Sequence, residues 1–214
     1  MPCAICKTAK ARRFCPAIHE EICTACCGAG REETIDCALT CEYLAEAHRY
    51  EKKPPPDPEA MPGKDVPVDD DFLRTYEYLI VLVGSAMFEA VRRHASATDA
   101  DATDALDSLA RTWRTLLAGI YYETRPVNPV AADMFEAVKA RVEDIGARLK
   151  KADAAQSLPD AVVLGVLAFL QRVAFGTNNG RSRCKAFLVF LSQFYVDLKK
   201  DDEEAIADEP LVIL

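Results

Sequence analysis

From Phe72 onward, apolar residues recur at intervals of three and four. Phe72, Tyr76, Leu79, Val83, Met87 and Ala90 share one helical face, which predicts a helix over 70–94. Asp69, Asp70 and Asp71 offer its N-cap and an acidic first turn. After a polar break at 96–103, Leu106, Leu109, Trp113, Leu116, Leu117, Ile120 and Tyr121 predict a second helix over 102–123, closed by Pro126 and Pro129. Asn128-Pro129 reads as a cap and first-position proline. The stripe Met134, Phe135, Val138, Val142, Ile145 and Leu149 then predicts a third helix over 129–152. A fourth, over 159–175, is apolar nearly all round, the mark of a helix at the centre of a bundle. Gly176 and Asn178-Asn179-Gly180 end it, and Phe187, Leu188, Phe190, Leu191, Phe194 and Leu198 predict a fifth over 182–199. No strand alternation interrupts 69–200. The expected fold is mostly α: a small cysteine-rich zinc module, then an all-α bundle of about five helices.

The rest of the chain divides by texture. Residues 1–53 form the cysteine-rich module, with Tyr43, Leu44, Ala47 and His48 at helical spacing near its end. Six of the 12 prolines fall in 54–68, which predicts an extended polyproline spacer. Residues 201–214 are an acidic tail ending in the apolar run Pro210 to Leu214, expected to dock back on the bundle. On this reading the two modules fold independently, the first by binding metal and the second by helix packing.

Eight of the nine cysteines lie between Cys3 and Cys41. Cys3/Cys6 and Cys23/Cys26 have the two-residue gap that lets a backbone knuckle aim both sulfurs at one ion. The start of the chain shows no basic segment followed by an apolar one, so no secretory signal is expected. The strongest apolar run, Ala161 to Leu170, is about half a membrane span. A cytoplasmic, non-membrane protein follows, and a reducing compartment favours metal thiolates over disulfides. Eight thiols suit two zinc ions per chain. Sequential pairing would give each ion a contiguous half. The interleaved alternative, which gives Cys15 its partners, puts Cys3, Cys6, Cys23 and Cys26 on one ion. It puts Cys15, Cys37 and Cys41 on the other, with either Cys27 or His19 completing the set. His48 is a weaker candidate ligand. A catalytic zinc keeps an open position, so this many thiols argue for structural sites. Lys7, Lys10, Arg12, Arg13 and Arg31 are read as charges that offset the zinc-thiolate centres.

The pattern Cys3-x-x-Cys6, Phe14-Cys15, Ile22-Cys23-x-x-Cys26 and Cys37-x-x-x-Cys41 resembles small cross-brace zinc fingers of the B-box, HIT and MYND kind. The resemblance covers about 40 residues. It departs from those families in its adjacent Cys26-Cys27 pair and in lacking a terminal histidine pair. The run from Cys27-Gly28 through Arg31-Glu32 and Ile35-Asp36-Cys37 to Tyr43-Leu44 also resembles the start of uncharacterised bacterial zinc-finger proteins. The resemblance to the cross-brace fingers implies a module that binds proteins and does not catalyse; the bacterial resemblance implies no function.

Charge narrows the functional classes. The chain carries a formal −8, yet the first 53 residues balance eight Lys/Arg against eight Asp/Glu. No basic footprint for nucleic acid appears. No Glu-x-x-His pair, His-Glu-x-x-His motif or phosphate-cradling glycine loop occurs. His94 is read as solvated. Cys184, beside Arg181, Arg183 and Lys185, is read as a small boundary residue rather than a reactive thiol. Arg111, Trp113, Arg114, Tyr121, Tyr122, Arg125 and Arg172 form a candidate aromatic–arginine surface, with Trp113 itself expected in the core. The leading expectation is a non-enzymatic zinc-binding adaptor or regulator with protein partners. A nucleic-acid-associated regulator using the finger is the alternative, and an enzyme of unrecognised type the third.

Overall fold

The computed structural model describes residues 1–53 and 55–195, with side chains to Ser192. The acidic tail, the apolar C-terminus and the last part of the expected fifth helix lie outside the described residues. The fold is mostly helical, with a single two-stranded sheet among the described residues.

The N-terminal module holds strands β1 (Arg13–Cys15) and β2 (Glu20–Ile22), then helices α1 (Thr24–Gly30) and α2 (Glu42–Tyr50). The strands pair antiparallel, Arg13 opposite Ile22 and Cys15 opposite Glu20. His19 closes the hairpin turn in a left-handed conformation, φ 54°.

The bundle comprises α3 (Asp70–Thr75), α4 (Glu77–Val91), α5 (Asp99–Leu117), α6 (Pro129–Ala152), α7 (Asp160–Thr177) and α8 (Ala186–Tyr195). The expected first helix is broken at Tyr76, φ −112° and ψ 19°. Thr75 and Tyr76 are weak helix formers. The break accompanies an aromatic seat. The Phe72 ring tilts against Tyr76, centroids 4.8 Å apart, and lies over Gly165 of α7, where a β-carbon would come within 2.4 Å of it.

The second helix starts earlier and stops earlier than its apolar stripe. Asp101 Oδ2 accepts from the Thr98 N–H and hydroxyl, both at 2.8 Å, so the cap sits at Thr98. At the other end Gly119 takes φ 75°. The Ile120 N–H reaches Thr115 O at 2.8 Å and the Gly119 N–H reaches Leu116 O at 2.9 Å. That is a Schellman stop, which needs a residue tolerant of positive φ. Ile120 and Tyr121 therefore leave the stripe and stand exposed.

Leu106, Leu109, Met134, Phe135, Leu167, Leu170 and Phe187 are fully enclosed in the main core. Helix α7 packs on α4, α5 and α8, while α4 touches α3, α6, α7 and α8. Helix α5 likewise packs on α6, α7 and α8, so the central position expected for α7 alone is shared among α4, α5 and α7. Among the described residues, α7 alone is long and apolar enough to cross a membrane by length and composition, and half of it is buried.

The proline-rich stretch docks on the bundle over its second half. Arg172 donates to Gly63 O at 2.7 Å and Val66 O at 2.6 Å, Asp65 pairs with Arg114, and Val66 is buried.

Candidate metal centre

The first loop is a tight knuckle. The Lys7 N–H donates to Cys3 O at 2.9 Å, and Lys7 adopts φ 60°, which turns the chain so that Cys6 comes back over Cys3. On the other side, Cys23 caps α1 with its sulfur, which accepts from the Cys26 N–H at 3.4 Å. The two pieces meet where the Cys23 N–H donates to Cys3 Sγ at 3.2 Å. The Ala9 N–H donates to Cys6 Sγ at 3.5 Å.

As a result the sulfurs of Cys3, Cys6, Cys23 and Cys26 all lie within 4.8 Å of one another. A tetrahedral ion with metal–sulfur bonds of about 2.3 Å holds its sulfurs about 3.8 Å apart. A small contraction would close the group on such an ion. The donor set fits: four thiols, two knuckles, and backbone N–H groups aimed at sulfur, which favour thiolate. This is the grouping that the interleaved pairing assigns to one ion. All nine cysteines are free thiols, none in a disulfide.

The protons on these thiols are unevenly held. Hydrogen bonds from the Thr8 side chain, then from the Ala9 and Thr8 backbone, lower the Cys6 thiol to about 5. A hydrogen bond with Cys23, with burial behind it, pushes Cys26 up to about 12. Burial raises Cys3, but N–H bonds from Cys6, Cys23 and Ile5 outweigh it and the net direction is down. Metal binding replaces whatever protons remain.

The other four cysteines of the module, Cys15, Cys27, Cys37 and Cys41, line one cavity together with Arg13, Arg31, Ile35 and Tyr43. They are not drawn as close together as the first four: among the described residues, only the first group meets that spacing. Burial pushes the Cys37 thiol up, the charges of Cys41, Glu32 and Cys15 adding to it against a backbone hydrogen bond from Glu32. His19 is exposed on its turn. His48 faces elsewhere, its Nε2 bonded to Glu32 Oε2 at 2.9 Å and its Nδ1 buried without a hydrogen-bond partner.

The module is fastened to the bundle by polar groups that the sequence did not announce. Glu32, fully buried and at φ 53°, accepts from His48, from Asn179 Nδ2 at 2.8 Å and from the Lys185 N–H at 2.6 Å. Burial raises its carboxyl, but these partners, His48 foremost, bring it below the usual range. The Arg183 N–H donates to Glu32 O at 2.8 Å. Lys185, also fully buried, pairs with Asp36 Oδ1 at 2.7 Å and donates to Ala95 O at 3.1 Å. Asp99 caps α8 from a distance, accepting from the Phe187 and Leu188 N–H groups at 2.9 and 3.1 Å. Val189 of α8 belongs to the module's own apolar cluster, with Ile22, Ile35 and Leu44. The signals available were weak: a charged run around Cys184, and a polar break at 96–103. Glu32 and Asp36 stood out only as members of the run from Cys27 to Leu44, with no role attached to either.

The remaining candidates occupy ordinary positions. Cys184 is buried and its thiol, desolvated beside Asp99, is pushed up to about 12. His94 bonds Asp133 at 2.8 Å. Trp113 is buried, while Tyr121 and Tyr122 are exposed. Arg114 pairs with Asp65, and Arg125 with Glu123 and Glu136. Arg172 is spent on main-chain carbonyls.

No known protein family, curated protein or solved structure matches this chain.

Proposed function

We propose that the chain is a cytoplasmic, non-enzymatic zinc protein whose metal is structural and whose task is to present a protein-binding surface. The observation that carries this reading is the group of Cys3, Cys6, Cys23 and Cys26. Four thiol donors fill a tetrahedral shell and leave no position for substrate. The soft donor set selects zinc over magnesium or calcium. Eight thiols between Cys3 and Cys41 give the module capacity for two zinc ions, the number expected per chain. An interleaved, cross-brace layout suits a binding module, because it makes one compact knob from chain segments far apart in sequence. Nucleic acid is the weaker partner class: the module is formally neutral and the rest of the chain carries the full −8.

The test uses the full chain, purified with zinc, as bait in extract of its source, beside a Cys3→Ser/Cys26→Ser variant. A protein partner that is retained by the first, lost by the second and reproduced with purified components supports the reading. Retention on DNA or RNA that falls steeply with salt, without a protein partner, overturns it.

A further inference from the structure

Four thiols of the N-terminal module remain once the first centre is complete, and all four residues line one cavity. Cys15 ends β1 and is buried. Cys27 follows Cys26 on α1, so its side chain leaves the helix about 100° round from the ligand before it. Cys37 is buried in the loop that follows the turn closed by the Thr34 and Ile35 N–H groups on Gly30 O, at 3.1 and 2.8 Å. Cys41 stands at the N-cap of α2 with no side-chain cap bond. Four separate stretches therefore contribute one cysteine each to the lining of a single cavity.

A cation is already held beside that cavity. Arg13 Nη1 donates to Cys27 Sγ at 3.6 Å, and its guanidinium lies over the Tyr43 ring, 4.5 Å from the centroid. An apolar core would have no use for a fixed guanidinium next to thiols. A tetrathiolate zinc, with a net charge of about −2, would be offset by one. His19 lines none of this and is exposed.

We infer that Cys15, Cys27, Cys37 and Cys41 form a second tetrahedral zinc site, with Arg13 as its charge partner and Cys27, not His19, as its fourth ligand. The metal's identity rests on the structural-zinc reading above; the ligand set does not. Zinc draws the four sulfurs together and completes the interleaved pattern, each ion bridging segments that the other leaves apart.

The experiment is a cobalt titration of the reduced full chain, read by optical absorption and by native mass spectrometry. The wild type should take two equivalents, with thiolate-to-cobalt charge transfer growing over both. Cys27→Ser and Cys37→Ser should each lose one tight equivalent while His19→Ala keeps two. Cadmium NMR of the wild type guards against variants that misfold, since it should show two resonances, both in the all-sulfur region. A single equivalent in the wild type overturns the second site and leaves the first intact. Two equivalents that survive Cys27→Ser but not His19→Ala overturn the ligand set. No tight metal at all overturns both the second site and the zinc reading.

Discussion

Glu32 Oε1 accepts the main-chain N–H of Lys185 at 2.6 Å, and the two residues are 153 positions apart in sequence. One belongs to the cysteine-rich module and the other leads into α8. Both side chains are fully buried. The bond ties a segment lying between Cys27 and Cys37 to the helical bundle. Alanine at position 32 would leave His48 and the Lys185 N–H without their acceptor, and Asn179 Nδ2 with Glu51 Oε2 alone, at 3.2 Å. A loss of about 3 kcal/mol is expected for Glu32→Ala. Urea unfolding of the zinc-loaded chain, followed by circular dichroism, measures it.

The same junction changes what metal removal should do. From the sequence, a proline spacer separates two independently folding modules, and a chelator would leave the helices untouched. With Val189 in the apolar cluster of the cysteine-rich module and Glu32 bonded to the segment that leads into α8, stripping bound metal should instead lower the melting temperature of the helical signal by several degrees. A shortened chain starting near Val68 should melt early in the same way. Thermal scans with and without chelator compare the two.

Much of the bundle was legible. Asn128-Pro129 marks the start of α6 because a cap and a first-position proline act locally, and Asn128 Oδ1 does accept from the Val130 N–H at 2.8 Å. The early stop of α5 was also written, in Gly119, but the apolar stripe running on to Tyr121 masked it. The break at Tyr76 was not legible, since it accompanies the meeting of Phe72 with Gly165 on a helix far along the chain. The first metal group was readable from the Cys-x-x-Cys pairs, whose geometry is local. Glu32, Asp36 and Lys185 were not, because a buried polar junction leaves no periodic trace.

Gly165 supplies a packing test. A methyl there would run into the Phe72 ring at 2.4 Å. Alanine normally favours a helix over glycine by up to about 1 kcal/mol, but overpacking costs about 1–3 kcal/mol. Gly165→Ala should therefore lower the melting temperature, and Gly165→Ala with Phe72→Leu should recover part of it.

Asp99 sets a pH dependence. Burial raises its carboxyl above the usual value, against the hydrogen bonds from Phe187, Cys184 and Leu188. A folded-state value above the unfolded one, about 3.9, means the folded chain holds the proton more tightly. The resulting stabilisation is complete below the unfolded value and is lost as pH rises through the folded value. Asp99→Asn should remove this component, so the difference in urea midpoint between variant and wild type should vary over that window and flatten above it. A difference that is constant with pH would show that Asp99 ionises normally.

On the reading proposed for this chain, the N-terminal cysteines enclose zinc in a shell of sulfur alone. X-ray absorption at the zinc edge of the fully loaded chain reads that shell directly. Four sulfur neighbours per zinc at about 2.3 Å are expected, with no nitrogen or oxygen. A shell that contains an oxygen or nitrogen at about 2.0 Å would contradict it, placing either water or a histidine on the metal.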